Sequence, residues 1–445
     1  MNLTYKNKVK FHTLGCKVNQ YETEAASELF EKAGYEVIEE DFPADVYVIN
    51  TCTVTSLSDS KSRQIIRRSK RENPNSIMVV MGCYSQVSAE EVADIEGVDI
   101  VIGTTERNEI VELVEKFKNK KEQINIVRDI KKDKTFQPLE IKAIKNMTRA
   151  YLKVQDGCNR YCSYCIIPYA RGNIRSRDPR DVVAEVEKLS QNGYKEVVLT
   201  GIHVASYGKD LDNFDLLKLI EVIHPIEGIE RIRLSSLEPR LITEEFLQGV
   251  SKLPKFCDHF HLSLQSGSNT VLQRMNRKYT REDYLETVER IRRFYPNAGI
   301  TTDIIVGFPG ETEEEFQETI DLVKKVSFSR VHVFKYSIRK GTPAATMKGQ
   351  VNGKVKNSRS RELIALTESL KSDFESSFIG KDMEVLVERK TDGLYHGHTS
   401  NYVEVFFIGQ GDYFNTLVKV EITDFIDGKL RGRAKGGKND WLYIL

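Results

Sequence analysis

The 445-residue sequence has almost no net charge: 66 lysines and arginines stand against 65 aspartates and glutamates. Bulk charge therefore announces no polyanionic partner, and a nucleic acid would have to be met by local patches. No apolar run approaches the length of a membrane span, so no membrane association is expected. Met1 to Lys10 is polar and lacks the apolar stretch of an export signal, so no signal peptide is expected. Cysteine is scarce and odd in number, at seven. In a large chain without an export signal this speaks against a disulfide framework and predicts reduced thiols in the cytoplasm. At this length, with ordinary apolar content, two or three domains with sizeable cores are expected.

The few cysteines lie at informative places. Residues 157–168 read Gly-Cys-Asn-Arg-Tyr-Cys-Ser-Tyr-Cys-Ile-Ile-Pro, directly after a strand-like run, Tyr151 to Val154. Cys158, Cys162 and Cys165 thus stand in a C-x-x-x-C-x-x-C spacing. One short loop can fold three thiolates around a small inorganic centre. A four-iron cluster normally takes four cysteines, one per iron, so three would leave one iron open. The alternatives are a zinc knuckle completed from elsewhere, or three core thiols. Zinc sites usually show two paired halves, and no partner pair is present.

Towards the amino terminus, three strand-like runs each end in a cysteine. Lys8–Leu14 leads to Cys16, Asp45–Asn50 to Cys52 and Ser76–Met81 to Cys83. Helical stretches come next at Gln20–Lys32, Leu57–Arg71 and Ser88–Ile95. Strand–helix alternation of this kind predicts a doubly wound parallel sheet. Sites in such sheets form beyond the carboxyl ends of the strands, so the three cysteines share one rim. They are either small core residues or three ligands of a second iron–sulfur cluster. The helix after Cys52 carries Lys61, Arg63, Arg67, Arg68, Lys70 and Arg71, which read as a solvated face or as phosphate contacts. Residues 120–148 are charged and weakly periodic. They read as a connector with a short strand at Ile124–Val127 and a helix break at Pro138.

From about 149 to 376, six apolar runs alternate with helical stretches: Tyr151–Val154, Glu196–Gly201, Arg231–Leu237, Phe260–Gln265, Thr302–Val306 and Arg330–Tyr336. Six units are too few for a closed eight-stranded barrel and predict an open, partial (β/α)6 barrel. Its active face would be the carboxyl ends of the strands. Polar or glycine-rich segments fall there: Thr200-Gly201-Ile202-His203, Ser235-Ser236-Leu237-Glu238-Pro239, Gln265 to Ser268, and Val306 to Glu311. His203 reads as a rim or core histidine, and Cys257 as a plain buried thiol. Arg171, Arg175, Arg177 and Arg180 come after the cysteine loop, and Arg274, Arg277 and Lys278 form a second basic stretch. Arginine suits bidentate anion recognition, and equally suits surface pairing with Asp178 and Asp181. Residues 377–445 read as five short strands separated by turns, a small OB-like barrel. Its Tyr395, Tyr402, Phe406 and Phe407 are candidate base stackers, although such alternation more often marks core.

The cysteine loop together with the rim segments resembles the radical S-adenosylmethionine superfamily. The resemblance implies a four-iron four-sulfur cluster on Cys158, Cys162 and Cys165, whose open iron chelates the methionine part of S-adenosylmethionine. It also implies Tyr164 near the nucleoside, Thr200 and Gly201 at the methionine amino group, Ser235 and Glu238 near methionine and ribose, and Gly307 and Pro309 at the adenine.

The whole chain resembles the methylthiotransferase family. That family joins a three-cysteine amino-terminal domain (here 1–119), a linker (120–148), a radical S-adenosylmethionine domain (149–376) and a TRAM barrel (377–445). Thr13-Leu14-Gly15-Cys16-Lys17-Val18-Asn19-Gln20 and Arg233 to Pro239 look most like its threonylcarbamoyladenosine branch. The family resemblance implies a second cluster on Cys16, Cys52 and Cys83. It also implies a deoxyadenosyl radical and a methylthio group at carbon 2 of the modified adenosine at position 37 of tRNA. The implied partners are the anticodon stem-loop, a reducing electron-donor protein and a sulfur donor. The alternatives are an isopentenyladenosine or ribosomal-protein methylthiotransferase, or a non-catalytic RNA-binding protein with structural metal centres.

Overall fold

The computed structural model describes residues 7–38, 42–137 and 148–435; the helix break expected at Pro138 lies outside them. The amino-terminal sheet is six-stranded and parallel, in the order β2-β1-β3-β4-β5-β6. Its strands are β1 Asn7–Thr13, β2 Tyr35–Ile38, β3 Val46–Thr51, β4 Ile77–Gly82, β5 Ile100–Val101 and β6 Ile124–Asn125. Side chains alternate across its two faces. Val46, Val48, Val79 and Met81 pack against Ala26, Phe30, Val114 and Phe117. Tyr47, Ile49, Met78 and Val80 pack on the opposite side against Ile66, Tyr84 and Val92. Burial on both faces explains the near-continuous apolar strands.

The central barrel comprises β7 Arg149–Asp156, β8 Arg175–Ser176, β9 Glu196–Gly201, β10 Arg231–Leu234, β11 His259–His261, β12 Gly299–Val306 and β13 Arg330–Lys335. Two sheets, β10-β9-β7-β8 and β11-β12-β13, join through parallel bridges Ile232–Phe256 and Leu237–Leu262. Six parallel strands therefore curve into an open barrel, and β8 is a short antiparallel addition at the β7 edge.

A 24-residue helix, Gly353–Ser376, was not anticipated from the sequence. Leu363, Leu366 and Leu370 repeat at helical spacing and pack on the barrel core; that period was a usable signal. The last strands, β14 Asp382–Thr391, β15 Leu394–Thr399, β16 Glu404–Ile408, β17 Leu417–Ile426 and β18 Lys429–Ala434, close a five-stranded barrel. It sits under the central barrel. Arg231 and Arg233 donate to the carbonyls of His398 and Ser400 at 2.7 and 2.8 Å. Tyr402 is wedged between His259 and His398, with ring centroids 4.7 and 4.8 Å away.

Of the candidate stackers, Tyr395 and Phe407 are core, and Tyr402 is this plug. Phe406 stays half-exposed, beneath Lys429 and Arg431.

Candidate functional site

The carboxyl ends of β1, β3 and β4 carry Cys16, Cys52 and Cys83, and these adjacent parallel strands bring the three thiols to one rim. Gly15 makes the approach possible. Its φ is +109°, and a Cβ there would lie 2.8 Å from the Cys52 Cβ. Cys16 is exposed, whereas Cys52 and Cys83 are buried. Burial and the neighbouring thiols push Cys83 up to about 12, against the nearby Arg171 guanidinium.

Across the interface, the loop after β7 holds Cys158, Cys162 and Cys165. Burial, with help from Cys162 and Cys158, pushes Cys165 up to about 12. Arg277 Nη1 lies 3.4 Å from the Cys162 Sγ, and its guanidinium stacks 4.8 Å over Tyr279. Gly157 opens this loop at φ +72°, and a Cβ there would come within 1.8 Å of the Asn173 carbonyl oxygen. Gly157→Ala is therefore expected to lower Tm by several degrees, since neither the left-handed backbone nor the contact can be kept. A thermal melt of the metal-free protein checks this, and an unchanged Tm would show that the loop takes another path.

The two cysteine groups meet over a buried polar junction. Glu22, from the helix Lys17–Lys32, is fully buried. It takes Arg107 at 3.0 Å, Lys153 at 2.7 Å and Arg171 at 2.9 Å. Asp156 takes Lys153 at 2.6 Å, with Arg171 and Arg175 each at 3.6 Å. Arg171 Nε then reaches the Cys83 Sγ at 3.3 Å, and its Nη2 bonds Asn19 at 2.8 Å. Four cations thus face two carboxylates beside a cysteine rim, which favours anionic thiolates or an anionic cluster there. Burial opposes ionisation of Glu22, but Arg107, Arg171 and Lys153 outweigh it and hold the carboxyl at about 2. Glu22, Arg107, Lys153 and Asp156 were not singled out from the sequence, because most of their partners lie far along the chain.

The basic segment after the cysteine loop needs correcting. Arg171, Arg175 and Arg177 are buried, and Arg177 pairs with Glu185 at 2.5 Å. They bind the interior and are not free anion receivers. Only Arg180 is exposed, on Asp178 at 2.8 Å. In the second basic stretch Arg274 is held by Glu315 at 2.6 Å.

The remaining predicted residues gather along the barrel rim. Tyr164 packs edge-on against Phe308, 6.5 Å between centroids. Thr200 is buried at the end of β9, and Gly201 lies against Gln155. The Ser235 hydroxyl is buried with no hydrogen-bond partner, the kind of orphan a bound ligand satisfies. Glu238 is gripped by Arg160 and by His203 at 3.2 Å. His203 thus stands at the rim as a hydrogen-bond partner of Glu238. The Gly307 amide donates to Glu311 at 2.8 Å, and Glu311 takes Arg359 of the long helix at 2.7 Å. That helix braces the turn holding Pro309, which is buried. Cys257 is buried at the barrel floor. Among the described residues no three His, Cys, Asp or Glu side chains converge on a single ion. A four-iron cluster takes one cysteine per iron, so its ligands need no such convergence. Three thiols on each rim, surplus positive charge beside Cys83 and an orphaned Ser235 hydroxyl on the barrel rim fit clusters with a bound cosubstrate.

Comparison with known proteins agrees with this geometry. Residues 152–323 match the radical SAM superfamily, and residues 8–103 match the uncharacterized protein family UPF0004. The chain is 46% identical over 420 residues to threonylcarbamoyladenosine tRNA methylthiotransferase MtaB of Bacillus subtilis, covering 93% of each chain. It is 39% identical to a tRNA-2-methylthio-N(6)-dimethylallyladenosine synthase of Clostridium botulinum, covering 92% of this chain and 93% of that one. Among solved structures, the radical S-adenosylmethionine methyltransferase TsrM of Kitasatospora setae aligns with TM-score 0.55 at 16% identity. That alignment covers 76% of this chain and 77% of the other, a likeness of fold.

Proposed function

This chain belongs to the radical S-adenosylmethionine methylthiotransferase family, and we propose that it acts on tRNA, placing a methylthio group on carbon 2 of N6-threonylcarbamoyladenosine at position 37. The observation that carries this reading is the meeting of two three-cysteine groups across one interface, with Arg171 reaching from one to Cys83 of the other at 3.3 Å. When bound, a four-iron four-sulfur cluster with S-adenosylmethionine supplies one-electron chemistry at an unactivated carbon, and a second cluster supplies a foothold for sulfur.

Cys158, Cys162 and Cys165 would hold the first cluster, and Cys16, Cys52 and Cys83 the second. Tyr164, Thr200, Gly201, Ser235, Glu238, Gly307 and Pro309 border the place of S-adenosylmethionine. Arg171 and Arg277 supply positive charge beside one thiol of each group. Bringing both groups to one mouth is an effect of proximity. It requires an unpaired base to be splayed into the opening, as anticodon-loop bases can be.

Lys61, Arg67 and Arg71 are exposed on the helix Ser56–Glu72 and suit contact with the RNA backbone. Arg63, Arg68 and Lys70 are instead engaged by Glu91, Glu72 and Asp99. A reducing electron donor, a sulfur donor and a cytoplasmic setting complete the reading. No described helix is long and apolar enough to cross a membrane.

The polar barrel lining favours the threonylcarbamoyl arm over an isopentenyl group. Ala150, Leu152 and Val154 pack outward against the helices, so alternate residues face inward. Inward-facing Asp303 takes His261 and His332 at 3.2 Å each. Such a lining offers hydrogen bonds to a polar arm and none to an apolar one. Holoenzyme incubated with tRNAs bearing each modification is expected to prefer threonylcarbamoyladenosine by at least about a hundredfold in kcat/KM. Preference for isopentenyladenosine would move the chain to the other branch of the family.

A further inference from the structure

Lys17 directly succeeds Cys16 and opens the helix Lys17–Lys32, yet its side chain belongs to the central barrel. Its ammonium lies 5.4 Å from the ring centroid of Tyr151, an inward-facing residue of β7. Arg149, Arg233 and Glu196 of the barrel floor are its charged neighbours, and His259 faces it from β11. The other inward-facing cations of β7, β9 and β10 each have a carboxylate partner. Arg149 and Arg233 share Glu196, each at 2.7 Å, Lys153 has Glu22, and Arg231 has Glu384 at 3.5 Å. Lys17 makes no ion pair among the described residues, and it is half-buried. Helix stability does not explain the residue, because a cation in the first turn opposes the helix dipole.

We infer that Lys17 receives the carboxylate of the substrate's threonyl arm, an assignment that rests on the proposed threonylcarbamoyladenosine substrate. An ion pair inside the barrel would place the modified adenine beside the Cys16 rim. It would also make the carboxylate a condition of recognition, since a charge-assisted bond in a partly desolvated site is strong and geometrically specific.

The test is a two-by-two comparison on reconstituted holoenzyme. The RNAs are anticodon stem-loops carrying threonylcarbamoyladenosine or its methyl ester. The proteins are the natural chain and Lys17→Gln, with Lys17→Arg as the charge-retaining variant. Kd is read by fluorescence anisotropy, kcat/KM by product mass, and the Kd for S-adenosylmethionine is measured beside them. The natural protein is expected to prefer the free acid by about 10- to 100-fold. Lys17→Gln is expected to treat acid and ester alike, and Lys17→Arg to recover part of the discrimination.

Three results would overturn the inference alone. The first is a full preference for the acid retained in Lys17→Gln. The second is equal weakening of both RNAs, which assigns the ammonium to the RNA backbone. The third is a loss mainly in S-adenosylmethionine affinity, which assigns Lys17 to the methionine carboxylate. A natural protein that acts on acid and ester alike would likewise overturn the inference and leave the substrate reading standing.

Discussion

Cys162→Ala is expected to abolish reductive cleavage of S-adenosylmethionine, whereas Cys52→Ala should retain cleavage and lose methylthiolation. The asymmetry arises from the two rims. Cys162 stands in the loop after β7, its Sγ 3.4 Å from the Arg277 guanidinium. Cys52 ends β3 in the other sheet, where Gly15 lets it approach Cys16. Replacing either whole group of three should remove about half of about eight irons, given four per cubane. The measurements are iron content after anaerobic reconstitution, deoxyadenosine release under reduction, and methylthio product on tRNA. Equal loss of cleavage in both variants, with the fold intact, would remove this division of labour. One equivalent of zinc in place of iron would sink the cluster assignment altogether.

Glu22→Gln should cost about 3–5 kcal/mol of stability, because removing one member of a buried ion network strands the charges that remain. Glu22 faces Arg107, Lys153 and Arg171, all of them buried. Two nitrogens of the Arg107 guanidinium already lack partners, so it depends on this carboxylate. The substitution also frees Arg171 from one of its anchors at the Cys83 rim, and the loss should include weaker contact between the sheet and the barrel. Urea unfolding at pH 7 of the metal-free protein measures it. A change below about 0.5 kcal/mol, the range of ordinary surface substitutions, would show that the junction is hydrated.

The same carboxylate sets a pH window. Its folded value, about 2, lies below its ordinary 4.5. Its stabilisation is therefore complete above 4.5 and is lost as pH falls towards 2. The natural protein should weaken through that window more steeply than Glu22→Gln.

Local pattern was sufficient for much of this protein. The eight-residue span of Cys158 to Cys165 needs only one loop, and a cysteine at the end of an apolar run needs only the rule that parallel strands share a rim. The six barrel strands and the five strands of the last barrel were equally legible, since their periods repeat within a few residues. Short strands such as β5 escaped notice because two residues carry no period.

What only the tertiary structure decided is where each charge goes. By sequence Arg175 and Arg177 read as anion receivers or surface pairs, but the fold buries them on Asp156 and Glu185. It sends Arg171 to Glu22, 149 positions away, and to Cys83. Lys17 directly follows Cys16 in the chain, and the packing of one helix against β7 delivers its ammonium into the barrel. Ion pairing has no period and no range limit along the chain. Its outcome depends on which buried groups the backbone brings within a few ångströms, where desolvation makes each unpaired charge costly.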